Sequence, residues 1–103
     1  MRIACLVYFP PRTADDPARL MAESRAASIF GGFTWLPIVH GGWVHPETHE
    51  TMVEPMQPIM LAVDTLGDLA LVVAFARAVG ACYGEHSVYV QVGALAEIVE
   101  VNG

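Results

Sequence analysis

Two stretches of this chain are bounded as helices at both ends, and runs rich in β-branched and aromatic residues lie before, between and after them. That order restricts the fold more than any other property of the sequence. The first helix signal is Asp16-Pro17, an N-cap residue followed by proline at the first helical position, where the missing N–H costs nothing. A helix is expected from Pro17 to about Phe30, with Leu20, Ala27 and Phe30 on one face and Gly31-Gly32 as its left-handed stop. The second signal is Thr65 followed by Asp68, a capping box with aspartate in the acidic position, opening a helix from Leu66 to about Gly80 or Tyr83.

The remaining segments read as strands. Arg2 to Phe9 is apolar on both alternating faces, as a strand covered on both sides must be, and Pro10-Pro11 ends it. Gly32 to Val39 is broken near Pro37, Gly41-Gly42 turns, and Trp43-Val44 resumes an extended path. Thr51 to Val63 is a long strand whose first half, with Pro55 and Pro58, belongs at an edge. Ser87 to Val92 alternates Val88, Val90 and Val92 with Ser87, Tyr89 and Gln91; Gly93-Ala94 then turns into a last strand from Leu95 to Val101. The order β, α, β, β, α, β with a short C-terminal strand is the ferredoxin-like split β-α-β arrangement, an α+β fold with two helices on one face of an antiparallel sheet. At 103 residues the chain has room for one core, so residues 1–103 read as a single domain.

The second helix is expected to bury Leu69, Val72, Val73, Ala76 and Val79. Leu71, Ala74, Phe75 and Ala78 fall on the other side, which is apolar as well, so these four residues are expected to meet another copy of the chain in a homo-oligomer. A hydrophobic fraction of 54% against 16% charged residues points the same way. The longest uninterrupted apolar run, Leu69 to Ala76, is far shorter than the ~20 residues of a bilayer span, so no membrane partner is expected. The N-terminal apolar run reads as a strand and not as a signal peptide, which places the protein in the cytoplasm. Cys5 and Cys82 read as free buried thiols.

Charge excludes one class of partner. The chain has no lysine and a net charge of −6, and its last two thirds hold a single arginine, Arg77, among eight acids. Nucleic-acid affinity rests on phosphate neutralisation by Lys and Arg, so no nucleic acid is expected, and a cationic partner fits better. The plainer reading is that acidity keeps a greasy domain soluble.

No motif names a reaction. His45, Glu47, His49, Glu50 and Glu54 hold metal-ligand atoms, but Pro46 removes the helix that would give the spacing of the two histidines a geometry, and no metal or other cofactor is assigned. Glu85-His86-Ser87 lists an acid, a base and a nucleophile, yet neighbours on a strand point to opposite faces and form no relay. Across strands, His86 or Glu85 is free to meet Thr34, Trp43 or Glu54 on the open face of the sheet. Thr34, Trp43, Glu54 and His86 are therefore the expected ligand-binding patch, with Glu54 as the hydrogen-bond acceptor; against this, Glu54 also reads as a solvated edge-strand charge.

The pattern Phe30-Gly31-Gly32-Phe33-Thr34, then Gly42-Trp43, Glu54-Pro55, and Gly84 before Ser87-Val88 resembles a group of short phage and bacterial proteins of ferredoxin-like fold and no assigned activity. The resemblance implies that fold and an association with phage. The expected function is a non-catalytic binding protein: a phage accessory factor that blocks a host defence by gripping a host protein or sequestering a small ligand. The alternatives are a small enzyme using Glu54 and His86 as acid and base, and a structural homo-oligomer.

Overall fold

The computed structural model describes residues 2–102. Strand β1 (Ile3–Phe9) is followed by helix α1 (Pro17–Phe30), the short β2 (Thr34–Trp35), β3 (Val39–Val44), the long β4 (Thr51–Val63), helix α2 (Leu69–Tyr83), β5 (Ser87–Val92) and β6 (Leu95–Glu100). The strand order is β2-β4-β1-β5-β6, with β3 also paired to β4, and every pairing is antiparallel. β2 and β3 together fill the place of one ferredoxin-like strand, interrupted around Pro37, and β6 extends the sheet beyond β5. The expected ferredoxin-like α+β fold is therefore the fold of this chain.

Local chemistry sets the helix ends. Asp16 Oδ1 accepts the Ala18 N–H at 2.9 Å ahead of α1, and Gly31, at a φ of 80°, closes it with its N–H bonded to the Ala27 carbonyl. Asp68 Oδ2 accepts the Thr65 N–H at 3.1 Å, and a 3-10 turn over Leu66–Asp68 leads into α2.

The core lies between one face of the sheet and the two helices. Cys5, Val7 and Phe9 of β1, Ile59, Leu61 and Val63 of β4, Val88 and Val90 of β5 and Val99 of β6 line the sheet side. Their alternation with half-buried or exposed neighbours is the period of two that puts successive side chains on opposite faces. Burial pushes the Cys5 thiol up, keeping it an inert core group, whereas Cys82, expected to be buried, is exposed.

Helix α1 presents a different face from the expected one, and α2 buries the expected Val72, Ala76 and Val79 but is rotated towards Phe75. The buried stripe of α1 is Ala18, Ala22 and Ala26, while Leu20 and Ala27 are exposed. Alanines spaced four apart let the α1 backbone lie close to its neighbours, so small size, and not hydropathy, decides that face. On α2 the buried residues are Val72, Phe75, Ala76, Val79, Gly80 and Tyr83. Phe75 is 1% exposed and meets Phe9 and Phe30 edge to face at 6.3 and 5.7 Å, so it cannot form an oligomer interface. On a helix apolar nearly all round, the periodicity does not fix which arc faces in; burying the phenyl ring outweighs burying Leu69 and Val73, which are only half-buried. Leu71 and Ala74 remain exposed and Ala78 half-buried, so three of the four expected interface residues keep an outward component. Leu66–Tyr83 has the length and composition of a membrane span, yet its Phe75 face is packed on this sheet.

At Gly80 α2 lies close against Val88 and Val101. A Cβ there would lie 2.8 Å from Val88 Cγ2 and 2.9 Å from Val101 Cγ2, tighter than packed carbons tolerate.

The outer half of β4 leaves the globule. Residues 51–56 pair with β3 on one side, whereas β1 pairs only with residues 57–63, so β3 and the outer part of β4 form a two-stranded arm. Val39, Trp43, Val44, Met52 and Val53 are all exposed on it.

Candidate functional site

The helix-free face of the sheet carries the even-numbered residues of β1 and β4 and the odd-numbered residues of β5. Tyr8 and Tyr89 are directly paired there, with ring centroids 5.2 Å apart in an edge-to-face arrangement, and the Tyr8 hydroxyl donates to Gln91 Oε1 at 3.2 Å. Tyr89 is exposed, which leaves an aromatic shelf open to a flat ligand. Burial, and then the neighbouring Tyr89, push the Tyr8 phenol up, so it stays neutral.

Beyond this shelf three segments meet at one end of the sheet. β1 exits through Pro10-Pro11-Arg12, β4 enters through Glu54-Pro55-Met56, and β5 begins after Gly84-Glu85-His86. Gly84, at a φ of 76°, stops α2 and turns the chain so that Glu85 N–H bonds the Gly80 carbonyl at 2.9 Å. Glu85 is partly buried, and its carboxyl is raised above the ordinary range, first by desolvation and then by the negative charge of Glu54; Arg12 and His86 oppose the shift. The charge of Glu54 thus bears on Glu85 although the two are far apart in the sequence.

A second polar group lies under α1. The Trp35 indole donates to Glu23 at 2.8 Å, Arg19 stacks 4.3 Å from the Trp35 ring centroid, and Arg19 Nη1 donates to Gln57 at 2.7 Å. It fastens β2 and β4 to α1 on the helix-covered side, away from the open face.

The expected patch of Thr34, Trp43, Glu54 and His86 is gathered only in part. Glu54 and His86 both lie within electrostatic range of Glu85. Trp43 pairs with Met52, and Glu54 with Gly41, so Trp43 and Glu54 are diagonal neighbours on one face of the arm. Thr34 pairs with Met60, six residues along β4 from Glu54, or about 20 Å at the rise of a strand, and does not belong to this group. It lines a groove with Arg2, Phe30, Phe33 and Met60. That groove holds no acid, and Arg2 is already paired with Asp64 at 3.1 Å, so the acidic end offers more chemistry.

His86 is exposed and marks the start of β5, where its carbonyl accepts the Val101 N–H at 2.9 Å. At the arm's turn, His45 Nδ1 accepts the Glu47 N–H at 3.2 Å. No group of three or more His, Cys, Asp or Glu suited to a metal ion occurs among the described residues. Sequence reasoning gave Glu85 and Tyr89 no leading role; the outward alternation of Ser87, Tyr89 and Gln91 was the available signal for the tyrosine.

No protein-family model matches the sequence, and no curated protein matches it. Two solved structures share its fold nearly end to end. One is a phage SAM lyase in complex with S-methyl-5'-thioadenosine, with a TM-score of 0.69 and 12% identity, the match covering 96% of this chain and 89% of that one. The other is a phage SAM lyase in its apo state, with a TM-score of 0.64 and 14% identity, covering 95% and 88%. Both structures are of an enzyme, and they stand against the expectation of a non-catalytic binding protein.

Proposed function

We propose that this chain cleaves S-adenosylmethionine (SAM), releasing S-methyl-5'-thioadenosine, and that Glu54 and Glu85 hold the amino-acid end of the substrate while the Tyr8–Tyr89 shelf receives the adenine. The end-to-end fold match to the phage lyase carries this reading. The acidity of the chain supports it, because SAM is a sulfonium cation with a net charge of +1.

The chemistry asks little of the protein beyond placement. The Cγ–S bond breaks, its electron pair neutralises the sulfonium sulfur, and the substrate's own carboxylate oxygen bonds Cγ to close a lactone. No water, added base or redox partner is consumed, and the positive charge remaining on the lactone is that of its ammonium. Glu54 and Glu85 attract that ammonium throughout and repel the substrate carboxylate, folding the tail so that the oxygen approaches Cγ. The opposite charges of carboxylate and sulfonium cancel as the bond forms, so excluding water from the reacting atoms speeds the step. In this reading His86 tunes Glu85 and is not the acid–base partner of Glu54.

Cleaving SAM in the host cytoplasm removes the methyl donor of any defence that marks or reads methylated targets. That is the anti-defence role the resemblance to phage proteins implies, reached by catalysis in place of sequestration.

The same reading includes a homo-oligomer. A two-stranded ribbon has little stability alone, and this arm exposes apolar residues on both faces, with Val53 67% exposed; a second copy would cover them, together with Leu71 and Ala74. Light scattering at micromolar concentration is expected to give at least twice the chain mass of 11.1 kDa, and a Trp43→Glu/Val53→Glu variant to give a smaller species. A monomer for the native chain removes this part of the reading. Turnover itself is tested by incubating the protein with SAM and separating the nucleoside products.

A further inference from the structure

Arg12 stands in the loop that leaves β1, outside every motif the sequence offered, and is held on several sides. Its Nη2 donates to the Tyr83 carbonyl at 3.2 Å, its Nη1 lies 3.5 Å from Asp16 Oδ2, and its guanidinium sits 5.3 Å from the centroid of the Tyr83 ring. The Arg12 carbonyl in turn accepts from Arg19 Nη1 at 3.4 Å. These contacts tie the β1–α1 loop to the last turn of α2, two residues ahead of Glu85. The Tyr83 ring beneath the guanidinium is itself buried and stacked on Phe9 at 4.6 Å, so the platform is part of the core.

We propose that Arg12 is a positioning residue of the acidic site: anchored on the Tyr83 carbonyl, the Tyr83 ring and Asp16, it braces the turn that presents Glu85 and holds a positive charge beside that turn. The charges that act on Glu85 come from three elements. Glu54 from β4 repels it, and Arg12 from the β1–α1 loop and His86 at the head of β5 attract it. With Asp16, which anchors Arg12, three carboxylates stand against one guanidinium, so the site stays net acidic, as a cationic substrate requires. Without Arg12, burial and Glu54 act on Glu85 with only His86 against them, and the carboxylate takes up its proton at higher pH. A brace without electrostatic effect would instead lower activity equally at every pH.

The lyase reading underlies only the kinetic half of the test. In the first half, protein labelled with 13C at the glutamate carboxylates is titrated without substrate, the Glu85 signal being assigned by its loss in Glu85→Gln. Arg12→Met is expected to move the Glu85 titration to higher pH, and Arg12→Lys, which keeps the charge but not the fork, to stay near the native curve. In the second half, kcat/KM for SAM in Arg12→Met is expected to fall about tenfold at about pH 5 and less than about twofold at about pH 8. If Arg12→Met does not fold, Arg12→Gln, which keeps a donor for the Tyr83 carbonyl without the charge, takes its place. An unmoved Glu85 titration in the charge-free variant overturns the proposal, as does a kinetic loss equal at all pH values. Should the native chain release no thioadenosine, the lyase reading fails while the titration still decides the role of Arg12.

Discussion

Glu85→Gln is expected to lower kcat/KM for SAM by about 10²–10³-fold while leaving the fold intact, an effect of the size seen when one preorganised electrostatic group is removed from a site. Glutamine has nearly the same shape and can still accept a hydrogen bond, so the loss reports the charge. Glu85 is also the carboxylate with the more perturbed environment: it is partly desolvated, pressed by Glu54 and relieved by Arg12. Its raised carboxyl predicts that activity in the native chain fails on acidification before an ordinary carboxylate would protonate. Far-ultraviolet circular dichroism and the thermal midpoint check that the variant is folded; steady-state kinetics read the effect. Glu54→Gln is expected to act in the same direction by a smaller factor, because Glu54 stands on the exposed arm. A Glu85→Gln variant with native kcat/KM removes the acidic end from the mechanism.

The second large effect is on stability. Phe75→Ala deletes a ring that is buried between β1, α1 and α2, and cavity-forming changes of this kind cost about 3–5 kcal/mol. Against a total of about 5–15 kcal/mol for a domain of this size, much of the margin is gone, and the thermal midpoint is expected to fall by about 15 °C or more. The alternative, in which Phe75 faces a second copy, predicts a different signature. Loss of an interface residue makes unfolding depend on protein concentration, whereas loss of a core residue lowers stability at every concentration. Chemical unfolding at two concentrations a hundredfold apart separates them.

Much of the fold is legible in the sequence because local signals agree with one another. Asp16-Pro17 and Gly31 bound α1, Thr65 and Asp68 begin α2, and Pro55 marks the outer half of β4 as an edge, whereas Pro58, expected there too, is buried opposite Tyr8 inside the sheet. The inward faces of the helices are less legible. Ala18, Ala22 and Ala26 are buried for their small size, which a search for large apolar residues passes over, and α2 is apolar on too many sides for periodicity to choose one.

The site is harder still, because it is assembled from the ends of three elements. Glu54 and Glu85 are 31 positions apart in the chain and interact because β4 and the α2–β5 turn approach the same end of the sheet, a consequence of strand order and not of any local pattern. Thr34 was grouped with Glu54 because both lie on strands of one sheet face; the register places them about 20 Å apart along β4. Tyr8 and Tyr89 meet through a register that only the folded sheet supplies. Arg12 has no motif at all, and its role rests on contacts with Tyr83 and Asp16 made after the chain has folded.

The most direct test of the central claim is the fate of SAM itself. Purified protein incubated with SAM, followed by chromatography of the mixture, is expected to show S-methyl-5'-thioadenosine rising in step with a four-carbon amino-acid lactone, without 18O uptake into the lactone from labelled water, and with the rate collapsing in Glu85→Gln. SAM recovered intact after prolonged incubation with folded protein would contradict it.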